Sequence, residues 1–401
     1  MSSLNRRRLL QGAGSFLATL GLNSISFQQK ADRHARVLAQ GTSRKLALLV
    51  GINEYDSQPL NGCLNDIDLQ YNLLVHRFGF NPRDILVVTD AEATRTGILT
   101  AFEEHLLKQA KSDDVVIYHY SGKGSLAFNP NPITAIDARK DLLSGTFVPV
   151  DGDLPSGYRQ IGGTVPDIMG QTLFLLLSAL KTENVTVVLD NCFVRSRSRC
   201  FSGVVRSRDG GQNILISDEE SNYQQQLLSR LQMSPEAFIR NYRAGVPQGT
   251  VLTAISPAQL ARESNIDGFS SGLFTYLITH YLWQENSNIE AIFQKIVSEI
   301  PQQFEQTPQY EIKAGNRDRQ YNPYFIEIPN PPARGVVTKV QGDIVQLWLG
   351  GIDPRTVDAG TMFAGIDGEG RITVTSRNGI VAEAKSDREV KEGMLLHLLE
   401  E

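Results

Sequence analysis

Val185-Thr186-Val187-Val188-Leu189, running straight into Asp190-Asn191-Cys192, is the stretch that decides the fold. Five β-branched or aliphatic residues without polar alternation describe a strand buried on both faces. A helical stretch precedes it, Asp167 to Leu180, with Leu173, Leu176, Leu177 and Leu180 on one side. Farther upstream the same units recur. Leu46 to Val50 is an apolar run closed by Gly51, and Ile85 to Val88 and Val115 to Tyr120 are two more. Between them lie a helix over Asp66 to Phe78 (Leu69, Leu73, Leu74, Phe78) and one capped by Thr94 (Ile98, Leu99, Phe102, Leu106). Alternating strands and helices predict an α/β fold, a doubly wound and mostly parallel sheet with helices on both faces.

In such sheets ligands gather at the carboxyl ends of the strands. Three notable segments sit there: Asn61 to Asp66, Ser121 to Gly124, and Asp190 to Cys192. Downstream, residues 193–211 carry Arg195, Arg197, Arg199, Arg206 and Arg208 among Ser and Gly, which reads as an exposed loop. Helical pattern resumes over Tyr223 to Tyr242, then a strand at Val251 to Ala254 and helices at Gly272 to Trp283 and Ile289 to Ile300. Pro329-Asn330-Pro331-Pro332 reads as a stiff linker. Past it, short runs (Val336-Val337, Ile344 to Leu349, Ile372 to Val374, Met394 to Leu398) separated by Gly-rich turns predict a small all-β domain, a barrel or sandwich. The expected divisions are 1–39, 40–330 (parts 40–192, 193–211 and 212–330) and 331–401.

Composition narrows the function classes. The chain has 401 residues, enough for two or three domains at about 150 each. Hydrophobic residues at 41% and charged residues at 21% exclude disorder, coiled coil and collagen. A net charge of −5 argues against nucleic acid as an electrostatic partner. No apolar run is long enough for an integral membrane span. Three cysteines make no disulfide framework. Arg6-Arg7-Arg8 ahead of a weakly apolar stretch, Gly12 to Leu22, is laid out like a twin-arginine export signal, with Val37-Leu38-Ala39 as a cleavage site. The expectation is export to periplasm or thylakoid lumen, and cytoplasm if the segment is a plain basic tail.

Position alone leaves each candidate open. Cys192, just past a strand, is placed either as an exposed nucleophile or as a buried structural thiol. Gly122 and Gly124 allow a turn whose N–H groups face an oxyanion, and equally a phosphate-binding or plain Gly turn. Asp66 stands where a first-turn helix acid stands. The histidines lack metal-ligand spacing, and His119, inside a strand, reads as core.

Together, "LALLVGINEY", "LNGCLNDIDLQ", "YHYSGKG" and "VTVVLDNC" resemble the caspase-like cysteine peptidases, specifically the metacaspase and orthocaspase branch, from about Leu46 to Ile326. "GTVLTAISPAQLARES" and "GLFTYLITHYLW" look like that family's small-subunit strand and helix, and the signal-like segment with a terminal β domain looks most like cyanobacterial members. The resemblance implies Cys192 as nucleophile, oxyanion N–H groups from Gly124 and Cys192, and a pocket of Cys63, Asp66, Ser121 and Asp190. It implies peptide or protein substrates cut after Arg or Lys, and self-cleavage between the subunits, for which the Arg-rich loop would serve. Carboxylates suit such substrates, because they accept a guanidinium in bidentate fashion. No cofactor is expected. Calcium, which some metacaspases need, stays open, since Asp137, Asp141, Asp151, Asp153 and Asp167 have no ligand spacing. The partner of the β domain is unknown.

The chain departs from the family at Lys123, which stands at the catalytic His. Free Lys titrates near about 10.4 against about 6.5 for His, so it serves badly as a base unless burial lowers it, which nearby acids should oppose. Losing a general acid–base costs about 10²–10⁴ in rate. Impaired turnover is therefore expected, the alternative being an inactive module that binds basic peptides. Cys200-Phe201-Ser202-Gly203 fits the family's local string better than Cys192-Phe193-Val194-Arg195, yet only Cys192 follows the strand. A Cys192–Cys200 disulfide would silence the thiol.

Overall fold

The computed structural model describes residues 43–129, 143–193, 204–257, 259–285, 287–313, 323–326, 331–368 and 370–399. The signal-like segment 1–39, Arg195, Arg197, Arg199, Cys200, Asp137, Asp141 and the linker residues Pro329 and Asn330 lie outside them.

The central sheet runs Gln309–Ile312, Thr250–Thr253, Val185–Asp190, Val115–Ser121, Lys45–Gly51, Ile85–Thr89. All neighbours pair parallel except the antiparallel edge strand Gln309–Ile312. Successive residues of one strand feed opposite cores, as the period of two requires. Ala47, Leu49, Ile117 and Val188 pack with Leu273, Phe274 and Leu277 of the Leu273–Gln284 helix. Leu48, Val50, Val116 and Val187 pack on the other side with Phe102, Leu173 and Leu176. Pairing sets Gly51, Ser121 and Asp190 abreast at the carboxyl edge.

Several expectations change in detail. The first helix starts at Cys63 and ends at Asn72, followed by a wider turn over Leu73–Arg77. Thr94 caps its helix by accepting the Gly97 N–H. The helix expected from Asp167 begins at Gly170, because Ile168–Met169 pair with Thr146 and Phe147 as strand. The Tyr223 to Tyr242 stretch is two helices, Asp218–Arg230 and Pro235–Arg243, since Pro235 starts a new one behind the Ser234 cap. A second sheet of five short strands, with Gly124–Phe128 at its centre, was invisible in the sequence because its strands are brief and mixed in polarity.

The largest correction concerns residues 193–211. The described part, from Val204, is no exposed loop: Arg206 is fully buried and Arg208 nearly so. Arg208 forks onto the buried Asp167, and Arg206 lies among buried carboxylates. Their charges are tolerated inside because each is paired.

The C-terminal region is a closed barrel of six antiparallel strands, in order Gly335–Gln341, Ile344–Trp348, Val381–Ser386, Arg371–Asn378, Met362–Gly365, Leu395–Leu398. Closure removes the exposed edges a small sandwich would keep. Val337, Leu347, Phe363, Ile372, Val374 and Leu396 fill it. Among the described residues no helix is long and apolar enough to cross a membrane.

Candidate active site

Arg206 organises the site. Its Nη1 lies 2.6 Å from Asp66 Oδ2 and 2.6 Å from Ser121 Oγ, with Asp190 Oδ1 at 3.3 Å, and its Nη2 lies 3.3 Å from Glu263 Oε1. Ser121 Oγ also donates to Asp66 Oδ2 at 2.5 Å. Each carboxylate is fixed in turn. Asp66 Oδ1 accepts from Ser271 Oγ and the Gly272 N–H, and Asp190 Oδ2 from the Thr275 N–H and Oγ1. Glu263 accepts the N–H groups of Asn61 and Gly62. A Cβ on Gly272 would sit 2.2 Å from Asp190 Oδ2, so only glycine lets this hairpin end close on the strand.

The Arg206 backbone is held as firmly as its side chain. Its carbonyl oxygen accepts the N–H of Gly124 at 3.1 Å and that of Cys192 at 3.2 Å, and Cys192 Sγ lies 3.4 Å from it. The Arg206 N–H donates to Ala261 O and the Glu263 N–H to Val204 O, while the Arg208 N–H donates to Gly124 O. Residues 204–208 thus lie as an added strand between Gly124 and Ala261–Glu263. Gly124 must be glycine here, for a Cβ would meet Cys192 O at 2.4 Å.

Electrostatics follow from burial. Burial pushes the Asp66 and Asp190 carboxyls above their ordinary range, and the Arg206 charge pulls both back. Burial alone would lower Arg206, but Asp190, Asp66 and Glu263 together outweigh it and keep the guanidinium charged. Cys63, with Sγ 4.0 Å from Glu263 Oε1, is raised by burial and stays a thiol.

Cys192 was placed as exposed or buried, and it is fully buried. Segment 204–208 lies over it, and burial pushes the thiol up to about 11. Lys123 is 2% exposed. Among the described residues no hydrogen bond joins its Nζ to Cys192 Sγ. The amine instead donates to Ser57 O, 4.5 Å from the Tyr55 ring centroid. Nearby acids do not hold it at its free value: burial first, then Arg208, bring it down to about 8. His119 is a core residue, lowered by burial to about 3, and neither ring nitrogen has a hydrogen-bond partner among the described residues.

Cys63, Asp66, Ser121 and Asp190 therefore meet, and Gly124 joins Cys192. Sequence reasoning missed Glu263, Ser271, Thr275 and the occupant Arg206, which carry no spacing signal. Thr275→Val, which removes one donor to Asp190, is expected to lower stability by about 1–3 kcal/mol, read as a lower urea midpoint.

The family model described as caspase domain, a C14 peptidase, matches residues 44–318. Metacaspase-1 of Meyerozyma guilliermondii is 35% identical over 130 residues, 31% of this chain and 27% of that protein. Metacaspase-1B of Aspergillus fumigatus is 26% identical over 322 residues, 72% of this chain and 74% of that protein. The crystal structure of caspase-1 from Spodoptera frugiperda aligns over 68% of this chain and 87% of its own, with TM-score 0.37 and 9% identity.

Proposed function

Because this chain belongs to the caspase-domain peptidase family and has metacaspase homologues, we propose that it is a cysteine endopeptidase homologue built to cut after arginine or lysine, with turnover impaired by Lys123. Cys192 is the nucleophile, the N–H groups of Gly124 and Cys192 form the oxyanion hole, and Cys63, Asp66, Ser121, Asp190 and Glu263 form the basic-residue pocket. One observation carries this reading. Arg206 has its guanidinium among three carboxylates and its carbonyl oxygen on both N–H groups, the pose a substrate needs for attack. The Arg206–Ser207 bond is then an internal substrate.

Hydrolysis requires Cys192 to lose a proton and attack the Arg206 carbonyl carbon, and a donor to protonate the departing Ser207 nitrogen. A water must then cleave the resulting thioester, giving the Arg206 carboxylate and returning a proton to sulfur. Moving the proton from a thiol near 11 to an amine near 8 is uphill by 11 − 8 = 3 units, about 4 kcal/mol. That supports weak turnover. The second reading, an inactive module that holds basic peptides, draws on the same occupied pocket.

Arg- and Lys-ended fluorogenic peptides discriminate. The expected result is turnover at or near background. Robust cleavage that Cys192→Ala abolishes would overturn the impairment, and cleavage that survives Cys192→Ala would overturn the site.

A further inference from the structure

Glu263 and Ser271 stand at the base of a hairpin, Glu263–Ile266 paired with Phe269–Gly272. Its tip, Asp267 (φ 51°) and Gly268 (φ 84°), is a tight two-residue turn. This tip reaches the C-terminal barrel. Arg377 gives Nε to Val357 O at 2.8 Å and Nη1 to Gly379 O at 2.9 Å, and Nη2 pairs with Asp267. Two guanidinium nitrogens are thus anchored on barrel backbone, which aims the third at the hairpin. A Cβ on Gly379 would lie 3.2 Å from Phe269 Cβ, so the two backbones meet closely.

A second contact reaches the other wall of the pocket. Trp348 Nε1 donates to Asp68 Oδ2 at 3.0 Å, and Asp68 shares the Cys63–Asn72 helix with Asp66. The Trp348 ring packs at 5.1 Å on Trp283, whose helix carries Thr275, the donor to Asp190. The helix that carries Asp66, the hairpin that carries Glu263 and the helix that braces Asp190 are therefore each gripped by the barrel.

We propose that the barrel positions the pocket, with Arg377 and Trp348 as positioning residues acting through Glu263 and Asp66. The inference rests on reading these acids as the holder of Arg206. Loosening the hairpin withdraws Glu263 from Arg206 and frees the strand that also pairs with Val204, so segment 204–208 lifts from Cys192.

Thiol labelling reads this without turnover, so the proposal can fail while the peptidase reading stands, and the reverse. N-ethylmaleimide labelling of Cys192, counted by peptide mass in the full chain, is expected to quicken about three- to tenfold in Arg377→Ala, a range set by a charged hydrogen bond to a half-exposed Asp267. Deuterium exchange over 263–272 should rise with it. Trp348→Phe keeps the ring packing and removes only the donor, and exchange over 63–70 should rise. Val374→Ala destabilises the barrel from inside without touching the joint, and should leave Cys192 labelling at the parent rate. Unchanged labelling and exchange in both joint variants, or an equal rise in Val374→Ala, overturns the proposal.

Discussion

Lys123→His is expected to raise cleavage after arginine by about 10²–10⁴, the range for restoring one general acid–base. The parent has a thiol near 11 and an amine near 8 that donates to Ser57 rather than to sulfur. An imidazole, titrating near about 6.5, has a lone pair at neutral pH and carries a proton well enough to hand on. The first bond cut should be Arg206–Ser207, because the Arg206 carbonyl oxygen already accepts the N–H groups of Gly124 and Cys192. Mass spectrometry would then find fragments 1–206 and 207–401, followed by cleavage of added Arg peptides. Any residual activity of the parent should climb as pH rises through about 8, where Lys123 gives up its proton. In the His variant that rise should fall at lower pH. A His variant that leaves chain and peptides intact would show that Lys123 is not what limits turnover.

The second large effect belongs to Arg206. Arg206→Ala removes the cation facing Asp66, Asp190 and Glu263, and breaking a buried pair in this way costs about 3–5 kcal/mol. The loss should depend on pH. The folded Asp66 and Asp190 carboxyls already sit above their ordinary 3.8, so their contribution to stability is fully present below that value and is lost as pH rises through the folded pKa. Without Arg206 both move higher still, since its attraction opposes the burial effect. The gap in melting temperature between parent and variant should therefore be smallest in acid and widen toward neutral pH. A gap independent of pH would mean that these acids do not titrate against Arg206.

An internal arginine explains how acidic side chains come to be sealed at the edge of a sheet. Asp66 and Asp190 are among the costliest groups to bury, and each has two kinds of partner: fixed hydroxyl and N–H donors, and the guanidinium. A substrate arginine would have to displace segment 204–208, backbone bonds included. Such a pocket favours a neighbouring part of the same chain over a peptide from solution, because the internal segment carries no translational entropy loss.

Legibility differed by kind of signal. Val185–Asp190 and Val115–Ser121 could be read because strands buried on both faces are continuous apolar runs, whatever surrounds them. Cys192, Gly124, Ser121 and Asp190 could be placed at the carboxyl edge for the same reason, being the residues that follow those runs. The Ser234–Pro235 helix break was legible in principle and missed by letting helical pattern run across it. The five-stranded second sheet was not legible, because its strands, such as Gly163–Val165, are too short to show a period.

From its own letters the chain determined a mostly parallel sheet, the residues that follow its strands and the short apolar runs of its C-terminal β region. All of these depend on neighbours in sequence. Tertiary structure alone decided that two arginines of a Ser- and Gly-rich stretch turn inward, Arg208 toward Asp167 and, at the site, Arg206. Its choice is made by Asp66, Asp190 and Glu263, which come from three distant segments, and a charge enters a protein interior only where opposite charges have already been assembled to meet it.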